Sequence, residues 1–432
     1  MIHVKMNGLL FLFSTFFIVY WCIPRGWSFN NNTLLLICSF DGFRYDYVYQ
    51  NVTPTLLNLK KKGSSPLYMN PIYPSLTMPN HASISTGLYA ETHGVLDNKL
   101  YDKKTDRVLY YEADMYHYND DVVPLWIQNE KAGGGRTSGC MSWPGCEFKY
   151  QDSLPTYNFR QPFSSWEYRI DLMVDWFTDQ ENPANLVMAH FENPDEACHL
   201  LGGPDSKGVN EALSEIEDIV KYMLKRFEEE GLQSRLNIMF VSDHGCVRVH
   251  QPDYIIYLDE YVDKSLYIRS GESTSALIYP IEGKEAEVLE ALKKGSQEKD
   301  SHFTTYSRPE IPHRFHFKNC DRTPPILLTA ELGYLFDGDI FNFELGQHGY
   351  DPKHIQMKSF FLAIGPLFKK NVQMDPFENI HIYPLTAYIL GLPPPAVPPN
   401  GTLSVLQGIL TNPVPVKKSN TRKPEETLIF RA

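Results

Sequence analysis

Leu34-Leu35-Leu36-Ile37-Cys38-Ser39-Phe40 runs directly into Asp41-Gly42. A short, nearly continuous apolar run fits a strand covered on both faces of a parallel sheet, not the alternation of a half-exposed strand. The same pattern recurs at Leu186–Phe191 (LVMAHF), Leu236–Val241 (LNIMFV) and Phe360–Ile364 (FFLAI). Between the second and third runs, Val209, Leu213, Ile216, Val220, Met223, Leu224 and Phe227 fall at helical spacing, and Gly231 stops the pattern. That spacing predicts an amphipathic helix and hence a βαβ unit. Further helices are expected after Pro79, carrying His81 through Thr86, and from Trp166 through Phe177. The fold class is therefore α/β, with a largely parallel central sheet flanked by helices.

Three of these runs end on an acid. Phe40 leads into Asp41, Phe191 leads through Glu192-Asn193-Pro194 into Asp195, and Val241-Ser242 leads into Asp243-His244. In open parallel sheets the ligand crevice lies outside the carboxyl ends of the strands, so these acids are expected to meet. His199, four residues after Asp195, and His348, in Gly346-Gln347-His348-Gly349-Tyr350, add imidazoles to the set. Carboxylate oxygen with imidazole nitrogen suits zinc better than the oxygen-only sets of magnesium or calcium. Two Asp-His groups make two ions the expectation. At about 4 Å apart, two ions hold both the attacking and leaving oxygens of an in-line phosphoryl displacement.

A nucleophile is then required. Thr77 sits just before Pro79, a residue favoured in the first helical turn, so its hydroxyl is expected at a helix N-terminus where the dipole and a cation favour the alkoxide. His81 reads as structural.

Taken in order, several motifs carry a family resemblance. They are Ser39-Phe40-Asp41-Gly42-Phe43-Arg44, Thr77-Met78-Pro79-Asn80-His81 with Thr86-Gly87-Leu88-Tyr89, Asp97-Asn98, Trp143-Pro144-Gly145, Asp195 with His199, Ser242-Asp243-His244-Gly245 and His348-Gly349-Tyr350-Asp351. The chain resembles the ecto-nucleotide pyrophosphatase/phosphodiesterases of the alkaline phosphatase superfamily over roughly residues 33 to 410. The resemblance implies an alkaline-phosphatase-like fold, with one zinc held by Asp41, Thr77, Asp243 and His244 and a second by Asp195, His199 and His348. It implies Thr77 as the nucleophile, giving a threonyl-nucleotide ester that water then hydrolyses. Asn98 matches the position whose amide, with the Thr77 backbone N–H, stabilises a phosphate oxygen.

The chain also departs from the family pattern. Met78 replaces the aromatic that usually follows the nucleophile and stacks on the base. Tyr157, after Pro155, is the expected remaining stacking platform, with Phe159 as its alternative. The stretch Glu112 to Asp121 offers no Lys for the substrate phosphates, and Cys198 stands where a Gly usually precedes the ligand His.

The bulk properties agree. A chain of 432 residues with 43% hydrophobic and 13% aromatic content can bury a large core, which excludes disordered and collagen-like classes. One catalytic domain is expected over residues 30–411, followed by a polar, Pro-rich tail at 412–432. Residues 95–165, rich in Tyr, Asp and Gly, are expected as an insertion over the active-site end of the sheet. A formal charge of -12 and a pI near 5.6 disfavour stable nucleic-acid binding, which relies on Lys and Arg neutralising phosphates. The expected partner is a nucleotide or dinucleotide.

Lys5 and the apolar run Gly8–Ile23 place a signal peptide at 1–28, with a type II signal anchor as the rival and a membrane tether as its consequence. The sequons at Asn31, Asn51 and Asn400 agree with a secreted or cell-surface protein, in which a Cys140–Cys146 disulfide is permitted. Two other readings stand beside nucleotide hydrolysis. One is a choline phosphodiester or lysophospholipid headgroup phosphodiesterase, which the nucleophile Thr77 disfavours because choline-specific relatives carry Ser. The other is a catalytically inert adhesion ectodomain, which the complete set of metal-contacting residues disfavours.

Overall fold

Eight strands build the central sheet of the computed structural model, which describes residues 32–161, 164–249, 253–338 and 345–412. The expected leader at 1–28, Asn31 of the first sequon and the tail beyond Asn412 lie outside the described residues. Among the described residues, no helix is long and apolar enough to cross a membrane.

The sheet order is Val372–Met374, Ser64–Pro66, Phe361–Ile364, Leu236–Val241, Leu34–Phe40, Leu186–Phe191, Ser138–Met141 and Tyr157–Phe159. Leu34–Phe40 is central and pairs in parallel with Leu186–Phe191 on one side and Leu236–Val241 on the other. Phe361–Ile364, the fourth apolar run, pairs antiparallel with Leu236–Val241.

The continuous apolar runs have a direct cause. Leu34, Leu36, Cys38 and Phe40 face a core shared with the helices Trp166–Thr178 and Lys207–Glu229, through Met173, Phe177, Leu213, Val220 and Phe227. Leu35 and Ile37 face the opposite core, with Ala82 and Ile84 of the helix Thr77–Thr86, Trp126 of Leu125–Lys131 and Leu385 of Ile382–Leu390. Both faces pack against apolar cores, so both alternate sets of side chains are largely apolar.

One expectation changes. Residues 95–165 are not simply an insertion over the end of the sheet, because Ser138–Met141 and Tyr157–Phe159 extend the sheet in parallel. These strands are too short, and too mixed in sequence (SGCM and YNF), to show an apolar run. Not among the expected elements is a separate four-stranded antiparallel sheet, ordered Tyr267–Ser270, Ser275–Pro280, Ile326–Ala330 and Phe303–Ser307. It packs on the helix Glu285–Gly295 around its own core, which includes Ile278, Val288, Leu292 and Leu328.

The Cys140–Cys146 disulfide that the sequence permits is present, and Cys198–Cys246 is a second. Cys38 and Cys320 are free and buried. Asn51 and Asn400, the acceptors of the other two sequons, are exposed.

Candidate active site

Strand register brings the acids together. Ser39 lies opposite both His190 and Val241, so the three strands end in step at one edge of the sheet. Backbone bonds then tie the loops: Asp41 N–H donates to Phe191 O at 2.9 Å, and Asp195 N–H donates to Asp41 O at 3.1 Å. Gly42 N–H donates to Asp243 Oδ1 at 3.0 Å. Gly42 has φ +63°, and a Cβ there would lie 2.7 Å from Asp195 Cβ, so both the turn and the close approach of the second acid require glycine.

Thr77 opens the helix Thr77–Thr86, two residues earlier than the position of Pro79 suggests; Pro79 occupies the first turn. The helix has no apolar stripe because Pro79 through Thr86 are buried all round. Its polar groups are satisfied internally: Asn80 accepts from Ile72 N–H and donates to Pro74 O and Leu76 O, and Thr86 donates to Ala82 O. The N-cap residue Leu76 makes no side-chain bond to this end. Met78 N–H is taken by Asn98 Oδ1, Pro79 has no N–H and Asn80 N–H donates to Leu76 O, so Thr77 N–H is the first-turn donor left to face an anion.

Two clusters flank this helix end. His244 Nε2 lies 3.2 Å from Thr77 Oγ1, 3.0 Å from Asp243 Oδ2 and 3.4 Å from Asp41 Oδ1. His199 Nε2 lies 3.1 Å from Asp195 Oδ2, and His348 Nε2 lies 3.7 Å from Asp195 Oδ1. The rings of His244 and His348 stack at 3.6 Å, joining the two clusters. Each of these histidines turns Nδ1 to a backbone carbonyl: His244 to Gly245 O, His199 to Gly346 O and His348 to Ser75 O, at 2.9 to 3.0 Å. That tautomer points the Nε2 lone pair into the cluster, as a metal ligand requires.

The carboxylates give an independent test of whether the residues fit metal ions. Asp41 Oδ1, Asp195 Oδ1 and Asp243 Oδ2 are buried without a hydrogen-bond partner. Burial, reinforced by the Asp243 and Asp195 carboxylates, holds the Asp41 carboxyl well above its usual range. Burial also pushes the Asp243 carboxyl up, but the imidazoles of His244 and His81 outweigh it and hold the group well below that range. The His348 imidazole is driven down to about 3 by burial and by His244. Three acids with buried, orphaned oxygens and three aligned imidazole lone pairs are costly without cations and well matched to them.

Two residues around these clusters carry further weight. His190, a polar residue inside an otherwise apolar strand, was not among the expected site residues. Its Nε2 lies 2.8 Å from Asp41 Oδ2 and fixes that carboxylate. His81 is fully buried between Ser39 Oγ, Thr77 O and Asp243, in keeping with a structural role.

Asn98 lines the same cavity as Thr77, and its Oδ1 accepts from Met78 N–H at 3.0 Å. Tyr157 does not reach the site: its ring stacks on Trp176 at 5.5 Å, and its hydroxyl donates to Asn182 O. Phe159 packs toward Tyr168 instead. The cavity beside Thr77 is walled by Met78, Tyr111 and Arg160.

Comparison with known proteins matches this architecture. The family model described as type I phosphodiesterase/nucleotide pyrophosphatase covers residues 35–351. The chain belongs to this family. It is a hydrolase of the phosphodiesterase class, and the family's metal dependence accords with the clustered acids and imidazoles. Human ectonucleotide pyrophosphatase/phosphodiesterase family member 5 is 34% identical over 389 residues, spanning 88% of this chain and 79% of that protein. A Xenopus laevis protein named bis(5′-adenosyl)-triphosphatase is 30% identical over 411 residues, spanning 94% of this chain and 88% of its own. The solved structure of murine family member 5 has a TM-score of 0.81 at 33% identity, covering 88% of this chain and 100% of that one. The same murine protein has also been solved as an inactive variant in complex with AMP.

Proposed function

We propose that this chain is a two-zinc hydrolase that cleaves nucleotide phosphodiester or pyrophosphate bonds outside the cell through a covalent nucleotidyl ester on Thr77. The observation that carries this reading is the Thr77 hydroxyl at a helix N-terminus, 3.2 Å from His244 Nε2, between carboxylates whose inward oxygens lack partners. Asp41, Thr77, Asp243 and His244 would hold one ion, and Asp195, His199 and His348 the other. Bound zinc supplies charge stabilisation to the phosphoryl oxygens and lowers the pKa of a coordinated hydroxyl.

The chain's own residues perform the rest. Thr77 Oγ gives its proton to solvent water and attacks phosphorus; the Oγ–P ester bond forms as the bond from phosphorus to the leaving oxygen breaks, and that oxygen departs with the electron pair. Water then attacks the same phosphorus and Thr77 Oγ is released, so the nucleophile splits one difficult step into two. Asn98, its carbonyl oxygen held by Met78 N–H, turns its amino group to a phosphate oxygen beside the Thr77 N–H. Two disulfides and exposed sequon asparagines support an oxidising, extracellular setting.

The test is turnover by purified, zinc-loaded full chain of the 4-nitrophenyl ester of AMP beside 4-nitrophenylphosphorylcholine. Faster release from the nucleotide ester is expected. Faster turnover of the choline ester would replace this reading with the choline one, and no turnover of either by zinc-loaded protein would support the adhesion reading.

A further inference from the structure

The cavity beside Thr77 has a volume of ≈ 670 Å³ and opens onto Asp41, His190 and Asp195, with Met78, Pro144 and Leu200 among its apolar walls. This size suits a small organic ligand. Its position places the non-reacting half of a substrate next to the phosphoryl group.

One wall is a stacked pair. The Arg160 guanidinium carbon lies 4.0 Å from the centroid of the Tyr111 ring. Glu147 binds both members: one carboxylate oxygen accepts from the Tyr111 hydroxyl at 2.6 Å, and the other accepts from Arg160 Nη1. Gly145 N–H donates to the Tyr111 oxygen at 2.8 Å, and the ring is packed by Tyr116 and Phe148. The pair is therefore fixed in orientation. Neither Tyr111 nor Arg160 belongs to the motifs that carry the family resemblance.

The chemistry left open on Arg160 is limited. Glu147 matches its charge and uses an edge donor, which weakens it as a phosphate fork. One face of the guanidinium lies on Tyr111, while the side chain remains 44% exposed and lines the cavity. What it presents is a flat, delocalised, weakly hydrated surface, suited to stacking on a planar ring. A quaternary ammonium would meet a cation there instead of an open aromatic face, which disfavours choline. Met78 cannot supply this plane; its sulfur accepts from the Tyr116 hydroxyl at 3.1 Å, and its thioether forms an apolar flank.

We propose that the face of Arg160, backed by Tyr111 and locked by Glu147, is the platform on which this enzyme stacks the purine base of its nucleotide substrate. The inference rests on the hydrolase reading above and assigns the base contact to residues other than the one following the nucleophile. A purine covers more of the guanidinium plane than a pyrimidine, so purine nucleotides are the favoured class.

The experiment compares kcat/KM for the 4-nitrophenyl ester of AMP with that for methyl 4-nitrophenyl phosphate, which has no base, in zinc-loaded wild type, Arg160→Ala and Arg160→Lys. AMP binding is measured by calorimetry on the same proteins. The ratio of the two specificity constants should fall about tenfold in Arg160→Ala, mainly through KM, the size of a lost stacking contact. AMP affinity should fall in parallel, and Arg160→Lys, which keeps the charge but not the plane, should recover little of either. The base-free diester reports whether each variant is folded and loaded.

An unchanged ratio with unchanged AMP affinity would overturn the platform while leaving the hydrolase reading intact. Full recovery by Lys would also overturn it, showing that charge alone matters. If wild type turns over neither ester the hydrolase reading fails, and the calorimetry alone then decides whether Arg160 binds the base.

Discussion

Cys198 and Cys246 are joined by a disulfide that ties the residue before His199 to the segment just after His244. Gly346 packs against both sulfurs, since a Cβ there would lie 2.4 Å from Cys198 Sγ and 2.9 Å from Cys246 Sγ. The carbonyl of Gly346 in turn receives His199 Nδ1 at 2.9 Å. The covalent link thus supports the orientation of a histidine in the site, and Cys198, a departure from the usual Gly, has a partner that explains it.

Replacing both cysteines with Ser should therefore act on the site as well as on stability. The loss of a disulfide typically costs about 2 to 4 kcal/mol, and loss of support behind a ligand lowers metal affinity about tenfold or more. Zinc titration of the folded double variant checks this; unchanged affinity would mean that Gly346 holds its place without the disulfide.

Asp97 is buried and accepts three hydrogen bonds, with Oδ1 taking Lys99 N–H and Glu272 N–H and Oδ2 taking the Ser275 hydroxyl. It fastens the loop carrying Asn98 to the turn before Ser275–Pro280. Asp97→Ala leaves these donors unpaired and should cost about 2 to 4 kcal/mol with a drop in kcat. Asp97→Asn should retain most of both, because the Ser275 hydroxyl can rotate to accept from the amide. Denaturant melts with kinetics on both variants test the pair, and equal losses would contradict the assignment.

Tyr157→Ala should destabilise the protein without changing nucleotide affinity. The ring packs on Trp176 at the sheet edge, so about 2 kcal/mol or more should be lost in thermal melts. A selective rise in KM for nucleotide esters would restore it to the binding site.

The strand-end acids are legible in the sequence because a parallel sheet buries both faces of its strands, which makes those strands visible as apolar runs and places their carboxyl ends together. His190 left a usable trace, a lone polar residue at the end of LVMAHF, yet its role depends on register with Asp41 that only pairing reveals. Tyr111 and Arg160 left none. They lie in loops far apart in sequence, and their pairing is set by Glu147 and by the short edge strand Tyr157–Phe159 just before Arg160, which has no periodic signal. That strand also explains why Tyr157, two residues after Pro155, turns toward Trp176.

Chelation should abolish hydrolysis and lower the melting temperature by several degrees, because it leaves Asp41, Asp195 and Asp243 buried against one another. Ligand binding to the native state alone stabilises by mass action, so added zinc should restore both. Metal analysis of active protein should find two zinc ions per chain. Activity surviving exhaustive metal removal would exclude the proposed chemistry.

The covalent step on Thr77 is tested most directly by the hydrolysis rate of Thr77→Ala at zinc content matched to wild type. The substitution removes the hydroxyl beside His244 Nε2 but keeps the six Asp and His side chains, so folding and most zinc binding should persist. The rate on the 4-nitrophenyl ester of AMP should fall about a thousandfold or more, since direct attack by water lacks the positioned nucleophile. A zinc-loaded Thr77→Ala variant working at near wild-type rate would contradict the account.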